Sequence, residues 1–318
     1  MVTQNILEND QEYSVRVDID EVTFKFYSAD DGISESVIVE NIAEIKNIPE
    51  KFFNQVFPSI SNIYLANSIL HGTNGFAVYV KPNRNINKPI LININAGEKK
   101  TIEAISCYIF AGSESNSKII LNWGSSSTDN QHPILANGIV ILQNGAVLDL
   151  IDNQNLNYNS WMYSNIQSWL HQSSVLNYTS IQKGGNVSKY DFLLNMNGQN
   201  SNAFITGLYR AERDQVFNFD TRQNHSANNS KSNLLYQGIL KGSSHVVWQG
   251  MVEVQKETRG VDGFQAHRAL LLDDGVHCVS LPGLEISTDD VRCSHAVAAG
   301  SLDEEQIFYL KARGIPTD

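Results

Sequence analysis

The sequence predicts an all-β core, and three observations carry that expectation. From Pro89 to about Ala298, short apolar or alternating runs recur about every 11 to 18 residues, separated by Gly, Asn and Ser clusters. No window there reads as a long amphipathic helix. The chain also carries 34 asparagines, none after Asn233, and 21 glycines. Those residues tolerate left-handed backbone in turns and can stack in ladders. Pattern alone leaves three architectures open: a sandwich, an antiparallel barrel or a parallel β-helix. The Asn and Gly content favours stacked coils, although no strict repeat length is present.

Taken in order, residues 1–85 read as a small mixed α/β region. Val15 to Ile19 and Phe24 to Phe26 alternate as short strands do. Ile48 to Phe57 suits a short helix with Pro49 in its first turn and Pro58 as its stop, and Ile63 to Leu70 suits a second. The loop from Pro82 to Pro89 is the best boundary, so 86–298 is the core. Its strands are expected at Lys118–Leu121, Gly138–Leu142, Ala146–Ile151, Val175–Ile181, Tyr190–Met196, Ala203–Tyr209, Val216–Phe219, Leu234–Leu240, Val246–Val254, Phe264–Leu272 and Val276–Leu281. Residues 299–318 close the chain with a short helix. Ser301-Leu302-Asp303-Glu304 has the form of a capping box, Lys311 and Arg313 suit the negative end, and Gly314 and Pro316 stop it.

Composition narrows the function classes. With 318 residues and 42% hydrophobic content the chain can bury a sizeable core. It has 23 basic against 34 acidic residues, a net charge of −11. Such a chain is a poor non-specific partner for nucleic acid or an anionic membrane. No 18-residue apolar stretch predicts a membrane span, and no basic start followed by an apolar run predicts a secretory leader. Three cysteines, Cys107, Cys278 and Cys293, make no disulfide framework and point to a reducing, cytoplasmic setting.

Several chemistries lack their residues. Gln182-Lys183-Gly184-Gly185-Asn186 is Gly-rich but is not a phosphate-binding loop, and no Gly-x-Ser-x-Gly elbow is present. A β-helix carbohydrate-active enzyme is the alternative function, with Asp273-Asp274 and Asp289-Asp290 as candidate carboxylates and Trp161 and Trp169 as a sugar-stacking pair. Turn positions for the acids and core or turn packing for the tryptophans are the simpler readings. The residues that stand out are late. Six of eight histidines lie after residue 170, and Cys293-Ser294-His295 follows a predicted strand. Residues two apart in extended chain share a face. Cys293 and His295 would thus present a soft and a borderline donor suited to iron or zinc, although a buried Cys beside an exposed or satisfied His is the commoner outcome.

The C-terminal half resembles a known family. The matching residues are Asn224-His225-Ser226 with Ser230-Lys231-Ser232, Tyr236 to Leu240, Trp248-Gln249-Gly250 and Gln265 to Leu272. The most specific are Pro282 to His295 and Leu302 to Ile315. Together they resemble the SufB/SufD family of iron–sulfur cluster assembly proteins, in its SufD-like form. SufB-like chains have a Cys where this chain has His267 and a Glu-His-Glu-like element where it has Cys293-Ser294-His295. The resemblance implies a right-handed parallel β-helix flanked by smaller helical parts. It implies a non-catalytic subunit that pairs with a SufB-like chain and a SufC-like ATPase. Separately, an open strand edge could pair with its own copy across a two-fold axis when the chain is isolated. It implies no tightly bound cofactor but a transient cluster or iron at the shared interface. There His295 and Cys293 are the candidate cluster or metal residues, with His267 a weaker one. The family continues with further helix after Arg313-Gly314-Ile315, around which the ATPase docks, so 299–318 reads as a shortened segment.

Overall fold

The computed structural model describes residues 13–18, 21–27, 36–42, 46–53, 74–96, 103–125, 133–301 and 303–316. The chain alternates between two sheets, and each strand pairs with the strand two places along. One sheet stacks β4 (Asn74–Val80), β6 (Glu103–Ala111), β8 (Pro133–Leu142), β10 (Trp161–Leu170), β12 (Val187–Met196), β14 (Val216–His225), β16 (His245–Val254) and β18 (His277–Ile286). The other stacks β5 (Ile90–Ala96), β7 (Asn116–Ser125), β9 (Val147–Asn155), β11 (Val175–Gln182), β13 (Asn202–Ala211), β15 (Lys231–Leu240), β17 (Val261–Leu271) and β19 (Val291–Ser301). All pairings within these two stacks are parallel, so the molecule is a β-solenoid. Of the three open architectures, stacked coils are the one formed.

The N-terminal end is closed by antiparallel pairing. β1 (Tyr13–Asp18) lies parallel to β5 and antiparallel to β2 (Glu21–Tyr27), and β3 (Val37–Asn41) runs antiparallel to β4. The four-residue helix α1 (Glu50–Phe53) covers the outer face of the first sheet, where Phe52 stacks on Phe110 at 4.8 Å. Ile48, Tyr79, Tyr108, Ile139 and Ile141 complete this second small core, and Trp169 packs against it. Of the helix expected over 48–57, Glu50–Phe53 is helical and 54–57 lie outside the described residues, as does the helix expected at 63–70. The loop at 82–89 is a corner inside the coil stack, because β4 before it already pairs with β6. The boundary at 85/86 therefore falls within the first coil.

Corners hold the coils together. At one corner Asn83, Glu114, Gly145, Ser173, Asn200, Asn229 and Gly260 all have φ between 55° and 66°. Each points its N–H along the stack to the carbonyl of the next coil's corner: Ser113, Asn144, Gln172, Gln199, Asn228, Arg259 and Asp290. Just inside, Ser115, Ser174, Ser201 and Ser230 are buried and donate to the carbonyls of Gly112, His171, Gly198 and Ala227. The expected asparagine ladder is present: Asn153 donates to Asn122, and Asn122 to Asn93. The lack of a strict repeat has a physical cause. Pairing steps from Val147 to Val175, Asn202, Lys231 and Asp262, so coils differ in length while their corners stay aligned.

Cys293 and His295 follow β18, as expected, and lie in the extended segment β19. One further local expectation shifts. The terminal helix α2 (Glu304–Ala312) is capped by Asp303, whose carboxylate accepts the Gln306 N–H at 2.7 Å, so Ser301 ends the strand instead of opening the helix. The corner geometry yields a stability expectation. Asn229→Val places a β-branched residue at φ 57°. It should lower the unfolding free energy by about 1–2 kcal/mol, the cost of left-handed backbone for an L-residue. Urea denaturation reads this as an earlier midpoint, and Asn229→Gly should stay near the parent value.

Candidate functional site

The last coil, β18 and β19, forms the edge of both sheets, and no strand among the described residues pairs with its outer side. In parallel pairing, partners point to the same face of the sheet. Cys293 pairs with Gly263, His295 with Gln265 and Val297 with His267. Gly263, Gln265 and His267 are on the buried, core-facing side of β17. Cys293 and His295 therefore lie in the core-facing register. No further coil among the described residues covers them, and His295 is exposed and Cys293 half-buried.

Each donor has a different setting. Cys293 packs with Val291 against Val252, Val254 and Val261. Gly263 makes the room: a Cβ there would lie 2.9 Å from Val252 and 3.3 Å from the Cys293 Sγ. Burial pushes the Cys293 thiol above its usual range, opposed by a hydrogen bond from the Gly263 backbone. The group is thus a neutral thiol at pH 7 and must lose its proton to act as a thiolate ligand. Below His295, the Gln265 side chain donates to the carbonyls of Gly283 at 2.8 Å and Gly250 at 3.4 Å. Its buried Oε1 has no hydrogen-bond partner.

The other late histidines sit inside. His267, the weaker sequence candidate, is fully buried. Its Nε2 meets the Tyr209 hydroxyl at 2.7 Å, its Nδ1 meets Ser280 Oγ at 2.6 Å, and its ring stacks on Trp248. It offers no nitrogen at the surface, and its register partner on β19 is Val297, not His295. His225 is held likewise between Ser230 and Ser232, at 2.8 Å each. A neutral imidazole donates from one nitrogen and accepts at the other, and a hydroxyl can serve either role. Burial lowers both histidines to a pKa of about 4. Sequence reading passed over this His225–Ser230–Ser232 link and the Gln265 floor. The recurrent corner serine was the available signal for the first.

Metal chemistry is limited within one chain. No group of three or more His, Cys, Asp and Glu among the described residues is placed to hold a metal ion. His295 and Cys293 supply two donors, short of the four that structural zinc or iron–sulfur sites use. The carboxylate candidates do not converge. Asp273-Asp274 precede β18 and Asp289-Asp290 follow it, so the pairs are separated by a ten-residue strand, about 30 Å. Asp273 accepts the Gly242 N–H at 2.6 Å and the Asp290 carbonyl accepts that of Gly260, both corner roles. Trp161 and Trp169 are partly buried, and Trp169 belongs to the outer core. No helix among the described residues is long and apolar enough to cross a membrane.

Comparison with known proteins converges on one group. Residues 93–318 match the family model described as SUF system FeS cluster assembly, SufBD core domain. A SufBD family protein of Mycobacterium leprae is 37% identical over 154 residues, 46% of this chain and 39% of that protein. The Escherichia coli iron–sulfur cluster assembly protein SufD is 33% identical over 132 residues, 42% of this chain and 31% of its own length. The ycf24 SufBD family protein of Trieres chinensis is 21% identical over 318 residues, covering 93% of this chain and 63% of that one. Against the mycobacterial and E. coli relatives, the chain spans well under half of their length.

The buried groups set a pH dependence. His225 and His267 have folded pKa values near 4 against an ordinary 6.5. Between these values the unfolded chain binds protons that the folded chain refuses. Stability is therefore complete above pH 6.5 and lost as pH falls toward 4, by up to about 3 kcal/mol per histidine. Buried Asp152, raised to about 6, acts the other way over roughly the same window, because its protonated form is the one the fold accepts. Two histidines outweigh one carboxyl, so chemical denaturation between pH 7 and 4 should show falling stability. A flat profile would contradict neutral, buried imidazoles.

Proposed function

The chain belongs to the SufBD family of SUF-system iron–sulfur cluster assembly proteins, and from that premise we propose that it works as a SufD-like, non-catalytic subunit. Its cargo is an iron–sulfur cluster under construction. The observation that carries this reading is the terminal coil, where an exposed imidazole and a half-buried thiol share one face at an unpaired edge of both sheets.

An unpaired parallel edge presents a row of N–H and C=O groups ready for another strand. In this reading a SufB-like chain docks edge to edge on β18 and β19, and a SufC-like ATPase completes the complex and supplies the nucleotide hydrolysis. Docking would enclose His295 and Cys293 between two chains. His295 would offer a neutral nitrogen to iron without adding a further charged thiolate. Cys293 would be the second ligand once deprotonated, which makes its contribution stronger as pH rises. The partner would supply the remaining donors. Three free cysteines suit a reducing compartment such as the cytoplasm. The β-helix carbohydrate enzyme loses support from the separation of its carboxylates.

Anaerobic co-expression with SufB-like and SufC-like proteins tests the reading. This chain should co-purify with the SufB-like subunit and elute with it as one species. Two separate peaks on size exclusion would remove the heterodimer, and a homodimer that resists exchange would favour self-pairing. His295→Ala should lower the cluster absorbance of the reconstituted complex while leaving co-purification intact. Unchanged absorbance would take His295 out of the site. Cys293→Ser should have a smaller effect that grows above neutral pH.

A further inference from the structure

The outer face of the terminal coil carries a second pair of donors. His245 of β16 and His277 of β18 are in-register partners on adjacent parallel strands. Both are exposed, and their rings stack at 4.6 Å with an interplanar angle of 18°. Neither imidazole has a hydrogen bond or ion pair among the described residues. The residue next along the column is Val216, and Val247 and Val279 lie two places along the same strands, so the pair sits in apolar surroundings. These rings alternate with the core-facing Val246 and Cys278, so they project from the opposite side of the coil to the face carrying Cys293 and His295.

We propose that His245 and His277 form a surface binding site for a divalent first-row transition cation with a preference for imidazole nitrogen. A neutral imidazole is a good ligand for Zn²⁺, Ni²⁺ and Cu²⁺. Two nitrogens bound side by side to such an ion at about 2.0–2.1 Å must themselves come to about 3 Å apart. The rings begin 4.6 Å apart at their centres, and a modest lean of two exposed side chains closes that gap. The backbone needs no change, because β16 is held between β14 and β18 along its full length. No third His, Cys, Asp or Glu among the described residues joins them, so water fills the remaining positions and the ion can exchange. A bound ion would tie the edge strand β18 to the coil beneath it. The site shares strand β18 with the proposed interface but uses neither Cys293 nor His295.

The test uses untagged full-length chain carrying Cys293→Ser and His295→Ala, which removes the donors on the other face. Calorimetric titration with Ni²⁺ and with Zn²⁺ should give one ion per chain in this background. His245→Gln and His277→Gln should each weaken binding by at least ~tenfold, since one of two imidazoles is lost. Circular dichroism confirms that the variants are folded. In the unsubstituted chain, Zn²⁺ should shift the ring resonances of both histidines together in NMR spectra, a readout that needs no mutation. Titrations unchanged in both Gln variants, or no binding in the doubly substituted background, would overturn the site. Loss of the SufB-like partner's binding in separate experiments would leave this result standing.

Discussion

In-register parallel stacking is the constraint on which the rest of this structure depends. Once corner N–H groups aim along the stack, each residue inherits the face of its partner one coil below. His295 follows Gln265 and Cys293 follows Gly263 whatever their own polarity. A buried Cys or His would be unremarkable in such a column. Among the described residues no coil follows β19, and this makes a core-facing register accessible. The same step leaves two strand edges unsatisfied, so donors and docking surface arise from a single cause.

Interior chemistry changes along the axis in keeping with this. The first coils are filled by Ile92, Ile94, Ile105, Ile119 and Leu121. The middle is filled by aromatics, with Tyr178 on Phe192 at 4.7 Å and Phe219 among Tyr190, Tyr209 and Tyr236. Toward the open end, Gln223, His225, Gln265 and His267 enter the core. Glycines make this packing possible. A side chain at Gly238 would collide with the Tyr209 ring, which reaches across it to His267. His225 and His267, buried with a partner on each ring nitrogen, give the end of the stack a fixed shape beneath its exposed face.

Much of this was legible in the residues. The strands of the core fall where apolar runs were separated by turn clusters, and the asparagine ladder follows from Asn content. β5, β6, β10 and β19 were not among the expected strands. β10 escaped because Trp161 to Leu170 alternates poorly: its outer face is covered too, so Tyr163, Asn165 and Gln167 are buried as well as Met162 and Ile166. The repeat itself was hidden by unequal coils. Left-handed corners also accept Glu114, Ser173 and Arg213, residues that carry no such signal. At the site, the shared face of Cys293 and His295 followed from their spacing alone. That His267 would be sealed did not, because its partners Tyr209 and Ser280 come from distant points in the chain.

The unequal ends have a consequence for how the chain comes to be folded. One end is sealed by antiparallel strands near the N-terminus, and each later coil rests on its predecessor. Spatial order therefore repeats the order of synthesis. A growing front can lay down one coil at a time as polypeptide emerges, with no need to await distant segments. The last layer added is then the one still seeking a neighbour, and it becomes available only when everything under it is in place.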